Sequence, residues 1–145
     1  MGGSTYVTVP NVTETAITYN TETYDNASYW ASGQNTRFYA PENGYYHFDA
    51  GAAWESIHLH GSVPFQVKIG LRKNGSTMLA QKWEWHDVNN GGARSEALTT
   101  PISVDLQLNG GDYVEVMVWH SKGSTANNII RPDNYDTYCM VHKIQ

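Results

Sequence analysis

Three stretches of this chain carry side chains that could do chemistry. The run from Phe38 to Phe48 reads as strand, tight turn, strand, with Pro41 stopping the first part and Gly44 opening the second. Alternate side chains of a strand share a face. Tyr46 and Phe48 therefore point to a core, while Tyr45, His47 and Asp49 point away from it. An aromatic ring, an imidazole and a carboxylate on one outward face are suited to meet something other than the domain's own core. The run from Ile102 to Leu108 repeats the pattern: Ile102, Val104, Leu106 and Leu108 face in, and Ser103, Asp105 and Gln107 face out. The third stretch is Trp83-Glu84-Trp85-His86-Asp87. Trp83 and Trp85 share a face if this is a strand, and two indoles side by side can stack against the C–H faces of sugars. Trp83, Trp85, His86, Asp87 and Asn89 form the candidate ligand site, with Asn90 and Arg94 following in the same loop. Burial of both indoles, in the sandwich or between protomers, is the alternative.

Other motifs are weaker. Ile57-His58-Leu59-His60 places two imidazoles two residues apart on one face, a spacing able to chelate zinc, but no third or fourth ligand lies nearby in sequence. Two solvent-facing histidines on an edge strand explain it as well. The chain has no H-E-x-x-H motif and no nucleophile elbow. A Ser-His-Asp triad is a spatial constellation that sequence neither supports nor excludes. Tyr29 and Trp30 admit the same two readings as Trp83 and Trp85, stacking platform or burial, with burial favoured, and Trp119 and His120 at the end of their run read as packing at the end of the sandwich. Asn11, Asn26 and Asn74 each open a glycosylation triplet, but Asn74 is better explained by a turn.

The elements that must position these residues are strands. No window repeats apolar residues at helical spacing without Gly, Pro or Asn interrupting it. Phe65, Val67, Ile69 and Leu71 alternate with Gln66, Lys68 and Arg72 at its end. Asn74-Gly75 follows, and Asn-Gly is a strong hairpin signal because both positions tolerate positive φ. Met78 to Trp85 returns as the partner. Asn109-Gly110-Gly111-Asp112 turns the Ile102 strand into a run where Val114, Val116 and Val118 alternate with Tyr113, Glu115 and Met117. Tyr138 to Ile144 forms a terminal strand. Loops are expected near Asn89 to Gly92 and over Ser121 to Asp136. Short strands joined by turn residues predict an all-β sandwich or barrel.

Composition narrows the function classes. The chain has 145 residues, enough for one domain. Its net charge is −5, with nine Lys plus Arg scattered along it, which argues against a nucleic-acid partner. No apolar run approaches the ~18 residues of a membrane-spanning helix. Only 16% of residues are charged, a look frequent among extracellular and virion-surface β proteins. The start, Met1 to Ser4, shows no signal-peptide pattern, and its glycines read as a cloning scar or a cut point after a longer stalk. Cys139 is the single cysteine and is expected in the core.

The order and spacing of aromatic and turn residues resemble those of the globular heads of complement C1q and the related tumour-necrosis-factor-like jelly rolls. The resemblance rests on Tyr19, Asp25, Trp30, Phe38, Gly44, Tyr46, Phe48 and Ala50, on the strand ending Leu71-Arg72-Lys73-Asn74-Gly75, and on the hairpin from Leu106 to Val114. It covers roughly 17–144. Tyr19 stands where the family has Phe, one extra residue separates Trp30 from Phe38, and Ala50 replaces an aromatic. These departures point to a bacterial or phage relative rather than an animal complement protein.

The resemblance implies a jelly-roll β-sandwich of eight to ten strands over 1–145, with about 1–14 an N-terminal extension or stalk remnant. It implies a homotrimer, a recognition role and no catalytic activity. In the family, the sheet containing the Gly44 and Ile102 strands faces the threefold axis. Tyr45, His47, Asp49, Ser103, Asp105 and Gln107 thus become candidate axis residues. Polar packing between protomers is one use for them. The other is an axial ion held by three copies of His47 or Asp105, a transition metal if nitrogen ligates, calcium if oxygen alone does. No cofactor is otherwise required. The 10 Tyr and 5 Trp exceed what one core of this size needs and suit protomer seams. The expected function is a non-catalytic adhesion or recognition head on a phage tail fibre or bacterial surface protein, outside the cell or on a virion. Its partner would be a cell-surface glycan or protein receptor, with neither nucleic acid nor membrane insertion. The alternatives are a structural trimerisation cap and a monomeric carbohydrate-binding module.

Overall fold

The computed structural model describes residues 7–19, 25, 28–30, 35–58, 64–86, 95–123, 128–130 and 137–145. Among them lie ten strands: β1 (Val7–Val9), β2 (Thr15–Ala16), β3 (Arg37–Tyr39), β4 (Gly44–His58), β5 (Phe65–Lys73), β6 (Thr77–His86), β7 (Ser95–Leu108), β8 (Tyr113–His120), β9 (Asn128–Ile130) and β10 (Tyr138–Lys143). They form two antiparallel sheets. In the front sheet β4 is central, with β7 along one edge and β10, then β9, along the other; β1 extends the sheet beyond β9. In the back sheet β8 pairs with β2 and β3 on one side and with β5 on the other, and β6 closes the order beyond β5.

The alternation that predicted these strands also decides what they bury. Tyr46, Phe48, Ala50, Ala52 and Trp54 of β4 meet Phe65, Val67, Ile69 and Leu71 of β5 and Val114, Val116 and Val118 of β8 in one core. Ile102, Leu106 and Leu108 of β7 and Cys139 of β10 complete it. Burial of each large apolar side chain contributes roughly 1.5–3 kcal/mol before entropy is counted. At one end Phe38 meets Tyr46 and Phe48 edge-on, with ring centroids 5.6 and 5.1 Å apart. Trp30 lies edge-on to the fully buried Tyr19 at 5.7 Å. Burial pushes the Cys139 thiol up to about 12.

The turns behave as their residues require. Asn74 (φ 50°) and Gly75 (φ 71°) take the left-handed conformation of the β5–β6 hairpin. The Asn74 amide donates to Asp112 at 2.8 Å while its oxygen accepts the Tyr113 N–H, so the turn does account for this residue. At Gly44 the reason is close approach: a Cβ there would lie 2.5 Å from the Gln145 carbonyl oxygen.

Two expectations need correction. The Ile102 strand begins earlier, at Ser95, and takes Pro101 within it. Proline is tolerated because β7 is an edge strand, where a missing N–H need not break a ladder. The stretch from Ser121 to Asp136, expected as loop, contributes β9, which bridges β1 and β4. On β8, two of the residues that alternate with the core valines are buried as well. Because β8 has strands on both flanks, Met117 and Glu115 are buried on the back-sheet surface, at 1% and 5% exposure.

Candidate functional site

The outward side of the front sheet collects the first candidate set. Register places Tyr45 opposite Gln107, His47 opposite Asp105 and Asp49 opposite Ser103 on β7. On the other flank His47 lies opposite His142, and Asp49 opposite Met140. The six residues read from sequence as axis candidates therefore do share one face. β10 adds Tyr138, Met140 and His142, which sequence reasoning left unassigned because the parity of the last strand depends on its register against β4.

Contacts order this face. The His47 Nδ1–H donates to Asp105 Oδ1 at 2.7 Å. Ser103 Oγ lies 3.4 Å from His47 Nε2, and the His142 ring is stacked, tilted, 5.1 Å from the His47 ring. Tyr138 O–H donates to Asp49 at 3.4 Å; burial, with the Asp49 carboxylate second, raises the Tyr138 phenol above its ordinary pKa. Tyr45, Met140 and Ile144 are exposed large apolar residues at this face and its border.

Ser103, His47 and Asp105 have the connectivity of a nucleophilic triad. Their setting argues for another role. A triad aspartate is buried, and its serine sits beneath aimed oxyanion donors. Here the Asp105 side chain is 61% exposed and the trio spans two adjacent strands of an open sheet surface. As metal ligands the donors are sparse within one copy: among the described residues no group of three or more His, Cys, Asp or Glu is disposed to hold an ion. Only donors brought together from several copies would make such a site. A His47–Asp105 set mixes nitrogen and oxygen, which suits a transition metal better than calcium.

The second candidate lies on the opposite outward surface, that of the back sheet. Trp83 and Trp85 share a face of β6 and are both exposed, at 42% and 68%. Lys68 of β5 stands between Trp83 of β6 and Trp119 of β8 in register. Its ammonium lies 5.1 Å from the Trp83 ring centroid and pairs with Glu14. Trp119 meets Trp83 edge-on at 5.1 Å. Sequence placed Trp119 at the end of the sandwich; cross-strand register makes it a neighbour of Trp83 instead. His86 closes β6, and only its backbone is described. Asp87, Asn89, Asn90 and Arg94 lie outside the described residues, as does His60; of His58 only the backbone is described.

Elsewhere on the back sheet Glu115 accepts from Arg72 at 2.9 Å and from Arg37 at 3.4 Å, and the Arg37 guanidinium sits 4.3 Å over the Tyr113 ring. His120, on the core side of β8, is fully buried, and its Nε2–H donates to the Val9 carbonyl at 2.8 Å. Its Nδ1 accepts from the Lys122 N–H at 3.2 Å, and burial lowers its pKa.

No protein-family profile matches this chain, and no curated protein sequence does. Solved structures do match. The Eiger TNF of S. frugiperda aligns over 99% of this chain and 89% of its own, with a TM-score of 0.66 and 14% identity. Murine APRIL aligns over 96% and 98%, with a TM-score of 0.59 and 12% identity. The globular domain of zebrafish complement 1qA aligns over 81% and 79%, with a TM-score of 0.53 and 14% identity. The chain has the C1q/TNF-like jelly-roll fold.

Proposed function

We propose that this domain is a non-catalytic, homotrimeric recognition head that buries its front-sheet surface around a threefold axis and presents the rest of its surface to a receptor. The observation that carries the reading is the front face itself. Tyr45, Met140 and Ile144 are exposed there beside the paired His47 and Asp105 and the His142 ring, on the sheet that the C1q/TNF resemblance turns towards the axis. Aromatic and methionine side chains are enriched at protein interfaces, where they bury apolar area while their polar neighbours set register.

The head would serve at the end of a phage tail fibre or on a bacterial surface protein, outside the cell or on a virion, and bind a cell-surface glycan or protein. The net charge of −5 is unsuited to nucleic acid. Three copies of His47 and Asp105 brought to the axis would be the residues to hold an ion there. Light scattering, run with and without EDTA, tests the assembly. The expected mass is about three times the 16.2 kDa chain. A trimer that persists in EDTA leaves the ion without a structural role, and one that dissociates assigns it one. A monomer in both solutions overturns the reading.

A second reading, a structural trimerisation cap, needs the same assembly but no ligand. The exposed Trp83 and Trp85 favour the recognition head over it, since a cap has no use for open indoles on its far surface.

A further inference from the structure

We infer that the tryptophan stripe of the back sheet is a binding site for a neutral oligosaccharide. The inference rests on the recognition-head reading and names the ligand class that such a head would take. Trp83 and Trp85 are two residues apart on one strand, so their rings rise from points about 7 Å apart. That separation suits consecutive rings of a sugar chain. A pyranose with equatorial hydroxyls shows an apolar C–H face to an indole and directs its hydroxyls sideways. The side chains flanking the stripe on the same face can answer those hydroxyls: Gln66 is opposite Trp85 in register, and Gln81 precedes Trp83 by one alternation. Both carry an amide that donates and accepts.

The platform is held in advance. Trp83 is braced edge-on by Trp119 at 5.1 Å, and the Lys68 ammonium lies 5.1 Å from the Trp83 ring centroid. A ring fixed before binding loses less entropy on binding. Trp85, at 68% exposure, stands open beside it. Charge selects the class of sugar. Among the described residues Lys68 is the cation set against the Trp83 ring, and Glu14 already neutralises it. The chain carries a net charge of −5. Among the described residues, sulfated or uronate-rich chains therefore meet no uncompensated cation at the stripe, and a neutral chain meets no penalty. A protein partner is less well served, because the same-face neighbours of the two rings on β5 and β6 are Lys68, Gln66 and Gln81 rather than an aliphatic surround. The stripe also lies on the side of the sandwich opposite His47 and Asp105. Assembly through the front sheet would leave three copies facing outwards, able to engage one multivalent surface.

The test titrates the full chain with cellohexaose, mannohexaose, chitohexaose and a heparin hexasaccharide, following tryptophan fluorescence and heat, with mass measured by light scattering on the same samples. At least one neutral hexasaccharide is expected to bind. Trp85→Ala should weaken it about tenfold or more without changing the mass, and Trp83→Ala should do the same. Binding by none of the neutral sugars, binding by the heparin hexasaccharide alone, or binding that survives Trp85→Ala would overturn the site. Trp85 decides if Trp83→Ala fails to fold, because its ring is the more exposed. A trimer with no sugar binding overturns this inference and leaves the assembly intact. A monomer that binds a neutral sugar through Trp85 does the reverse.

Discussion

The front-sheet surface keeps its imidazoles and carboxylates open to solvent, whereas the back-sheet surface has drawn its charges into closed contacts. His47 and Asp105 bond to each other while their side chains remain 32% and 61% exposed. Glu115 on the back sheet is 5% exposed and is gripped by two arginines; Lys68 is equally buried and is gripped by Glu14. An open charged pair with exposed Tyr45 and Met140 beside it is a surface whose burial has been left to another molecule. A closed charge network stabilises its own sheet, and what it leaves exposed is the pair of indoles. Polarity alone does not mark an interface. The state of the polar groups does: those satisfied within the chain hold the fold, and those half-satisfied at the surface still have bonding capacity to offer.

The largest expected effect breaks the front surface without touching the back. Met140→Asp puts a charge among residues proposed to meet at the threefold axis. Light scattering should show the mass falling to that of a single chain, while stability of the chain itself shifts within about 0.5 kcal/mol, as for other exposed sites. An unchanged trimer would mean that Met140 lies outside the seam. Next comes the converse. Glu115→Ala removes the carboxylate that Arg37 and Arg72 share on the back sheet and should cost about 2–3 kcal/mol in urea unfolding, with the assembled mass unaltered. A loss below about 0.5 kcal/mol would show that water replaces Glu115 and that the network is not closed.

A smaller effect compares two histidines. His120 is buried as the neutral ring, Nε2–H to Val9 and Nδ1 from Lys122, and burial depresses its pKa. A depressed folded pKa contributes stability that is complete above the ordinary value of about 6.5 and is lost as pH falls through the folded one. Protonation would also set an Nδ1–H against the Lys122 N–H. Urea midpoints should therefore drop between pH 7.5 and 5, and the drop should be shallower in His120→Gln. Equal slopes in the two proteins would remove His120 as the cause. The smallest effect is at the open pair. Asp105→Asn should change the stability of a dissociated chain, such as that carrying Met140→Asp, by less than about 1 kcal/mol, as exposed ion pairs do. A larger loss would place the pair among the groups that hold the fold.

Much of the sandwich was legible because a strand announces itself by alternation. Phe65 to Leu71, Ile102 to Leu108 and the Asn74-Gly75 turn each state their own conformation locally. Tyr45, His47 and Asp49 could be placed on one outward face for the same reason. β9 was not legible, since Asn128 to Ile130 forms a strand only because β1 and β4 stand on either side to receive it. The early start of β7 was hidden too, because Pro101 reads as a breaker unless the strand is known to be at an edge.

The all-β class, the faces of the main strands, the hairpin turns and the resemblance to the C1q/TNF jelly roll all follow from neighbours along the chain. The pairing of strands brings His47 to Asp105 and beside His142, buries Glu115 between arginines and sets Trp119 against Trp83. Each of those pairs is joined through strand register, and register is set by the packing of whole sheets rather than by any residue's immediate sequence.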